Sequence, residues 1–117
     1  MDDDAQQSRI LCVDHDPGVL AGLREQLDRD FEFHAVTSHE QALEMIKESG
    51  PYEAIITSVQ ARDTLDNSNF LVKVKNLSPA TVRIMLAEES DVPLARQAVD
   101  QRRADSKVVP AGAGHVL

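Results

Sequence analysis

The chain has 117 residues, enough for one compact domain and too few for two ordinary ones. Apolar residues make up 42% and charged residues 27% of it, a composition typical of a globular protein rather than a disordered one. The net charge of −8 argues against binding nucleic acid or an anionic membrane, because a protein surface that binds either needs clustered positive charge. The aromatic content of 3% also argues against stacking on bases, which needs aromatic rings.

Nothing in the sequence predicts export or membrane insertion. The N-terminus reads Met1-Asp2-Asp3-Asp4, whereas a secretory signal begins with basic residues and continues with an apolar run. No stretch approaches the roughly 18 apolar residues of a membrane span. Cys12 is the single cysteine, which excludes an internal disulfide framework, and its apolar neighbours predict a buried side chain. We therefore predict a cytoplasmic protein.

Short apolar runs alternate with amphipathic segments along the chain. Runs of a few β-forming residues bounded by turn signals are typical of strands buried on both faces, and apolar residues at helical spacing predict helices. The predicted strands are 9–13, 33–37, 54–57, 82–86 and 107–109. The predicted helices run from Pro17 to near Asp30, from the cap at Ser38 to Gly50, over 70–77 and around 92–99, and the polar segment 61–69 is predicted to be a loop.

Capping signals support the start of two of these helices. Asp16 before Pro17 is typical of an N-cap residue followed by proline in the first helical position. Ser38, with Gln41 three residues later, fits a capping box. Both helices should therefore begin directly after a strand and its short turn.

Strands that alternate with helices predict βαβ units and a parallel sheet covered on both faces. The right-handed crossover rule leaves few arrangements of five strands. We predict an α/β protein with a flavodoxin-like, doubly wound sheet of strand order 2-1-3-4-5, whose fifth helix is missing or vestigial because only 111–117 follow the last strand. Functional groups in such sheets lie at the carboxyl ends of the strands. The groups found there are Asp14, His15, Asp16, Ser58, Gln60, Ala87, Glu88, Glu89 and Pro110.

Two segments in register resemble the receiver domains of response regulators, the CheY-like family. Residues 10–17, ILCVDHDP, are similar to the first strand of that family and the acidic pair that follows it. Residues 81–87, TVRIMLA, are similar to its fourth strand. The likeness spans roughly residues 8–110 and implies a role in two-component phosphorelay signalling. We accordingly expect a disordered acidic N-terminus over 1–8, a receiver-like domain over 9–110 and a flexible tail over 111–117.

The resemblance also implies where the functional groups would stand. The acidic pair of the family corresponds to Asp14 and His15, and its phosphoacceptor aspartate corresponds to Ser58. Its switch residues, a hydroxyl residue after strand four and a lysine after strand five, correspond to Ala87 and Val109. Only Asp14 keeps the residue type that the family uses.

These departures remove most of the chemistry that captures a phosphoryl group. A receiver accepts a phosphoryl group on one of its own carboxylates while Mg²⁺ neutralises the developing charge. Ser58 offers a neutral hydroxyl, His15 offers a nitrogen that Mg²⁺ disfavours, and no cation stands at Val109. We predict a pseudo-receiver that is not an enzyme and acts by protein–protein interaction. No cofactor is expected, and Mg²⁺ only if Asp14 and Asp16 suffice to hold it weakly.

Two other functions stay open. Asp63 or Asp66, after strand three, could replace the lost acceptor and make the chain an atypical phosphoaccepting regulator. A small metal-dependent hydrolase would use Ser58, His15 or Asp14, although no Gly-x-Ser-x-Gly elbow surrounds Ser58. Two of the adjacent residues Asp14, His15 and Asp16 could also bind a metal such as Zn²⁺ or Mn²⁺.

The remaining polar residues have simpler interpretations. The segment Asp14-His15-Asp16 is most simply a helix cap with solvated polar side chains. His34, His39 and His115 lie far apart in the sequence and are expected to be solvated at the surface. Neither set by itself predicts a reactive site.

The partners implied by the resemblance are proteins, namely a histidine-kinase-related domain or an output domain. Without a fifth helix, one apolar face of the sheet would remain in water at a cost of about 25 cal/mol per Å². We therefore predict that a second copy of the chain, or a following domain, covers this face.

Overall fold

A computed structural model describes residues 8–59, 64–87, 93, 96 and 107–110. The strands are β1 (Arg9–Val13), β2 (Glu32–Val36), β3 (Ala54–Val59), β4 (Val82–Ala87) and β5 (Lys107–Pro110). The helices are α1 (Pro17–Leu27), α2 (His39–Ser49) and α3 (Thr64–Leu77). None of the helices in this part of the chain has the length and apolar character needed to cross a membrane.

The five strands form one parallel sheet in the order β2-β1-β3-β4-β5. The predicted fold class and strand order are thereby confirmed. Pro93 and Arg96 are helical, as the prediction of a helix around 92–99 requires, while the rest of that helix and the tail over 111–117 lie outside the described residues.

Side chains alternate between the two faces of the sheet and form two separate apolar cores. One core joins β1, β3 and β4 to α2 and α3, and its members include Leu11, Ile46, Ile55, Phe70, Leu71, Val74 and Met85. The other joins the same strands to α1, and its members include Ile10, Cys12, Leu20, Leu23, Leu27, Ile56, Ile84 and Leu86. Because β1, β3 and β4 each contribute to both cores, these three strands are apolar on both faces, as the sequence indicates.

Both predicted N-caps are present. The Oδ1 atom of Asp16 accepts a hydrogen bond of 2.8 Å from the backbone N–H of Gly18, and Pro17 begins α1. The hydroxyl of Ser38 accepts one of 3.1 Å from the backbone N–H of Gln41. These bonds satisfy helix N–H groups that have no partner inside the helix, so each helix starts where the sequence predicts.

The prediction of a loop over 61–69 is wrong in its second half, because α3 already begins at Thr64. Apart from Leu65, its first turns consist of polar residues with no apolar periodicity, which is why the pattern did not reveal them. The middle of α3 packs into the core, because Phe70, Leu71 and Val74 are buried. Leu77, the last residue of this helix, is 43% exposed.

Other boundaries shift by one to three residues. The helix α1 ends at Leu27, and 28–30 form a turn. The strand β2 starts and ends one residue earlier than predicted, at Glu32 and Val36. The strand β3 extends to Val59, β4 to Ala87 and β5 to Pro110, so these strands reach farther toward the carboxyl edge than the apolar runs indicate.

Candidate functional site

The carboxyl edge of the sheet brings together residues that are far apart in the sequence. Val13 of β1 pairs with Thr57 of β3, so that Asp14 and Ser58 each follow this pair by one residue. Ser58 in turn pairs with Leu86 of β4. Because neighbouring strands lie about 4.8 Å apart, Asp14 and Ser58 belong to one site.

The switch positions of the resemblance lie on the same edge. Leu86 pairs with Val109 of β5, which places Val109 on the same rung as Ser58. Ala87 pairs with Val59 and with Pro110, one rung farther along. The backbone therefore brings the switch positions and Ser58 to one edge, although Ser58, Ala87 and Pro110 lie inside strands rather than after them.

Asp14 is buried, with 6% of its surface exposed. Its Oδ1 atom accepts a hydrogen bond of 2.8 Å from the backbone N–H of Asp16, while its own N–H donates to the carbonyl of Val36 over 3.2 Å. The interpretation of Asp14 as a solvated side chain is therefore wrong. The turn after β1 folds back on this carboxylate, and the backbone amide compensates part of its desolvation.

His15 and Asp16 differ from Asp14 in their exposure. The His15 side chain is 67% exposed, and its Nδ1 lies 3.7 Å from Oδ1 of Asp14, beyond hydrogen-bond distance. Asp16 is exposed, and its carboxylate caps α1. Of these three residues, Asp14 is buried, and His15 and Asp16 are exposed to solvent.

Ser58 is half-buried and follows Thr57, which is 1% exposed. The sequence analysis did not single out Thr57, because a hydroxyl inside an apolar strand gives no distinctive pattern. Asp66 lies in α3 at a position for which only the backbone is described, and Asp63, Gln60, Glu88, Glu89 and His115 lie outside the described residues. Among the described side chains at the ends of β1 and β3, there are one buried carboxylate and two hydroxyls.

This set does not match the ligands that Mg²⁺ prefers. Mg²⁺ is held in proteins by oxygen ligands in octahedral geometry, usually including one or two carboxylates. Asp14 supplies one buried carboxylate that already accepts a backbone hydrogen bond, and the Asp16 carboxylate is engaged in the cap. Within the part of the chain that the structure describes, no three His, Cys, Asp or Glu side chains are placed to hold a metal ion.

Cys12 lies beneath this edge in β1 and is fully buried. Burial raises the pKa of its thiol from 9.0 to about 12, and the positive charge of Arg24 opposes part of that rise. Since the thiolate is the reactive form, Cys12 is a packing residue at neutral pH, as predicted.

A second polar cluster lies toward the opposite, amino end of the sheet. Nδ1 of His34 lies 2.6 Å from the phenolic oxygen of Tyr52, and its Nε2 lies 2.8 Å from Glu32. Tyr52 is 2% exposed, and the Arg9 guanidinium stands 5.0 Å from the centre of its ring. His34 is therefore a partly buried, bonded residue, which corrects the expectation of a solvated one.

His39 also departs from that expectation. Its imidazole stacks on the ring of Phe70, with centroids 4.2 Å apart and planes 4° from parallel. This contact joins the first turn of α2 to α3. The contact pairs side chains from two helices that are separated by a strand in sequence, so helical spacing within either helix does not reveal it.

Comparisons with known proteins identify the architecture. No family model matches the chain, and no curated protein sequence matches it. Among solved structures, an adenylate cyclase from Rhodopirellula baltica is 27% identical with a TM-score of 0.75, over 90% of this chain and 76% of that one.

Two further structures are named as response regulators. A CheY-like receiver domain protein from Methanospirillum hungatei is 19% identical with a TM-score of 0.76, over 92% of this chain and 84% of that chain. A response regulator from Thermotoga maritima, solved in complex with Mg²⁺ and beryllium fluoride, is 21% identical with a TM-score of 0.71, over 92% of this chain and 90% of that one. Together with the strand order and the parallel register, these matches show that the chain has the fold of response-regulator receiver domains.

Proposed function

We propose that the chain is a pseudo-receiver, a signalling module of a two-component system that acts by protein–protein contacts without accepting a phosphoryl group at the usual position. The observation that carries the proposal is Ser58, which stands near the carboxyl end of β3 beside the buried Asp14. A receiver needs a carboxylate there as the phosphoryl acceptor.

The chemistry of the position supports this proposal. A serine hydroxyl is a weak nucleophile unless a neighbouring base removes its proton. Among the described residues, Asp14 is a candidate base, but its Oδ1 accepts the N–H of Asp16, and no described hydrogen bond joins it to Ser58. Val109, on the rung of Ser58, supplies no cation that would balance the charge of a phosphoryl group. Ser58 is therefore a poor acceptor in this setting.

The proposed partners are proteins. The fold is that of response-regulator receiver domains, and the receiver resemblance implies partners that are proteins. We propose a histidine-kinase-related or output domain as the partner, in the cytoplasm. A second copy of the chain is a further proposed partner, for the face of the sheet that carries α1. On that face Val82, at the start of β4, is 39% exposed.

The test is an intact-mass measurement after incubation with acetyl phosphate and Mg²⁺. We expect the mass of the wild-type chain to remain unchanged, while a phosphorylatable receiver treated in parallel gains one phosphoryl group. A Ser58→Asp variant serves as the matched control, because it restores the carboxylate without altering the backbone position. A stable phosphoryl group on the wild-type chain would contradict the proposal.

The position of any such group would identify the alternative. Attachment to Asp63 or Asp66 would support an atypical phosphoaccepting regulator, and attachment to Asp14 or Asp16 would show that the turn after β1 accepts the group. Peptide mapping after borohydride trapping distinguishes these sites, because acyl phosphates are reduced and Ser58 phosphate is not. No described contact favours the hydrolase over either of these functions.

A further inference from the structure

Asp14 is the one carboxylate that the described part of the chain buries. A buried negative charge needs compensation, and a bound cation, a hydrogen-bond donor or a nearby positive side chain can each provide it. The side chains and amides around Asp14 therefore decide whether this edge of the sheet requires a cation.

The described contacts compensate part of the buried charge of Asp14. The backbone N–H of Asp16 donates to Oδ1 over 2.8 Å, and the His15 imidazole stands 3.7 Å from the same atom. Ser58, on the neighbouring strand, adds a neutral hydroxyl rather than a second negative charge. One carboxylate with an amide donor and an exposed imidazole creates little demand for a divalent ion.

A second carboxylate at position 58 would reverse this balance. Two carboxylates on adjacent strands about 4.8 Å apart repel each other, and the repulsion is strong where one of them is buried. A divalent cation between them would relieve the repulsion and would gain two oxygen ligands of the type that Mg²⁺ prefers. The hydroxyl of Ser58 provides neither effect.

We propose that, among the described residues of this edge, Ser58 sets the cation requirement: the wild-type pair of Asp14 and Ser58 leaves millimolar Mg²⁺ unbound, and one carboxylate at position 58 suffices to create a divalent-cation site with Asp14. The inference rests on the proposed function, because it explains how the site stays assembled without the ion that phosphoryl capture needs. It concerns binding and folding, so it is testable without any partner.

The experiment measures the unfolding temperature of the full chain in chelator, in Mg²⁺ and in Mn²⁺. We expect the wild type to show the same midpoint in all three solutions. Ser58→Asp should unfold about 4–8 °C lower in chelator and recover several degrees in millimolar Mg²⁺. Ser58→Asn, of the same size and without charge, is the matched control and should show no response to either cation. Calorimetric titration with Mg²⁺ on the folded chain gives a second readout that does not depend on unfolding.

Each other outcome overturns the inference. A wild-type midpoint that rises in Mg²⁺, with the rise lost in Asp14→Asn, would show that the native pair already binds the cation. A Ser58→Asp variant that ignores Mg²⁺, or that stays unfolded in its presence, would show that one carboxylate is not sufficient. In Asp14→Asn/Ser58→Asp, which again has a single carboxylate, the Mg²⁺ response should vanish, and its persistence would place the site elsewhere.

The two proposals fail in distinguishable ways. A phosphoryl group gained by the wild type at the edge would contradict the pseudo-receiver, whatever the cation result. A wild type that gains no phosphoryl group and yet binds Mg²⁺ through Asp14 would overturn the present inference alone.

Discussion

The phenolic oxygen of Tyr52 lies 2.6 Å from Nδ1 of His34, and this contact joins the segment before β3 to the edge strand β2. Nε2 of the same ring lies 2.8 Å from Glu32. In its neutral form the imidazole can accept the tyrosine O–H at Nδ1 and donate from Nε2 to the carboxylate, so both of its nitrogens have partners. The cluster therefore stabilises β2, which lies at one end of the described sheet beside β1.

Tyr52→Phe should destabilise the fold by about 1 kcal/mol, because it leaves Nδ1 of His34 without its partner while keeping the buried ring. Urea unfolding measures the change. The matched background is His34→Ala, in which the bond is already absent. If Tyr52→Phe is equally costly in that background, the hydroxyl acts through some contact other than His34.

The pH dependence of stability follows from the same tyrosine. Burial raises the pKa of Tyr52 above its ordinary value of 10.0, Arg9 lowers it in part and Glu32 raises it further. The folded chain therefore holds this proton more tightly than the unfolded chain does. The contribution is complete below pH 10 and is lost as the pH rises through the folded value. We expect unfolding free energy to fall in this alkaline range, and to fall less steeply in Tyr52→Phe.

Sequence reasoning could not find this cluster, although it found the sheet. His34 and Tyr52 are 18 residues apart and lie on either side of α2, so no local spacing links them. The strand order followed from alternation and crossover handedness, which depend on short-range patterns and general topology. The contact between His34 and Tyr52 depends on how deeply each side chain is buried and where it points. Neither the alternation of strands and helices nor the crossover rule specifies this.

The turn after β1 also combines one feature that the sequence predicts with one that it does not. The cap at Asp16 was predictable because capping is a local geometry encoded by Asp-Pro. The burial of Asp14, two residues earlier, was not predictable, since its Oδ1 accepts the N–H of Asp16 only when the turn closes over the sheet edge. The residue types predict a polar turn after β1. Only the structure of that turn shows that Asp14 is buried and Asp16 is exposed.

Asp16→Ala should destabilise the chain by about 1 kcal/mol, because the backbone N–H of Gly18 loses the acceptor that caps α1. Asp16→Asn is the matched control and should retain most of the stability, since an asparagine side chain caps nearly as well without a negative charge. Thermal unfolding of the two variants provides the measurement. A loss of equal size in both variants would mean that the charge of Asp16, rather than its cap, stabilises the fold.

Cys12 should resist alkylation in the native protein. Its thiol is fully buried, and its pKa of about 12 leaves almost no thiolate at neutral or mildly alkaline pH. Iodoacetamide at pH 8 should therefore leave the intact mass unchanged unless denaturant is added, when one adduct should form. Rapid labelling of a chain that remains folded by circular dichroism would contradict the burial of β1.

The same thiol contributes to alkaline sensitivity. Its folded pKa is raised from 9.0 to about 12, so its contribution to stability is present below pH 9 and is lost as the pH rises toward 12. Cys12→Ala removes this contribution, and at neutral pH it costs the packing of the sulfur. Comparing the pH slopes of Cys12→Ala and Tyr52→Phe separates the two groups.

Two glycines provide a matched pair that tests the backbone of α1 and α2. A Cβ atom at Gly50, the C-cap residue that follows α2, would overlap the carbonyl oxygen of Ile46. The carbonyl belongs to the helix backbone and accepts the N–H of Gly50 over 3.1 Å, so it cannot move aside without breaking the last turn. Gly50→Ala should therefore destabilise the protein by about 1–3 kcal/mol.

Gly22 stands in the middle of α1, and a Cβ atom there would meet nothing within 4 Å. Gly22→Ala should stabilise the protein by about 0.5–1 kcal/mol, because alanine loses less backbone entropy than glycine when the helix forms. The two variants add the same methyl group to the same protein, so urea unfolding compares position alone. We expect the free energy of unfolding to fall in Gly50→Ala and to rise in Gly22→Ala. A rise in Gly50→Ala would mean that the Ile46 carbonyl oxygen does not lie against Gly50 as described.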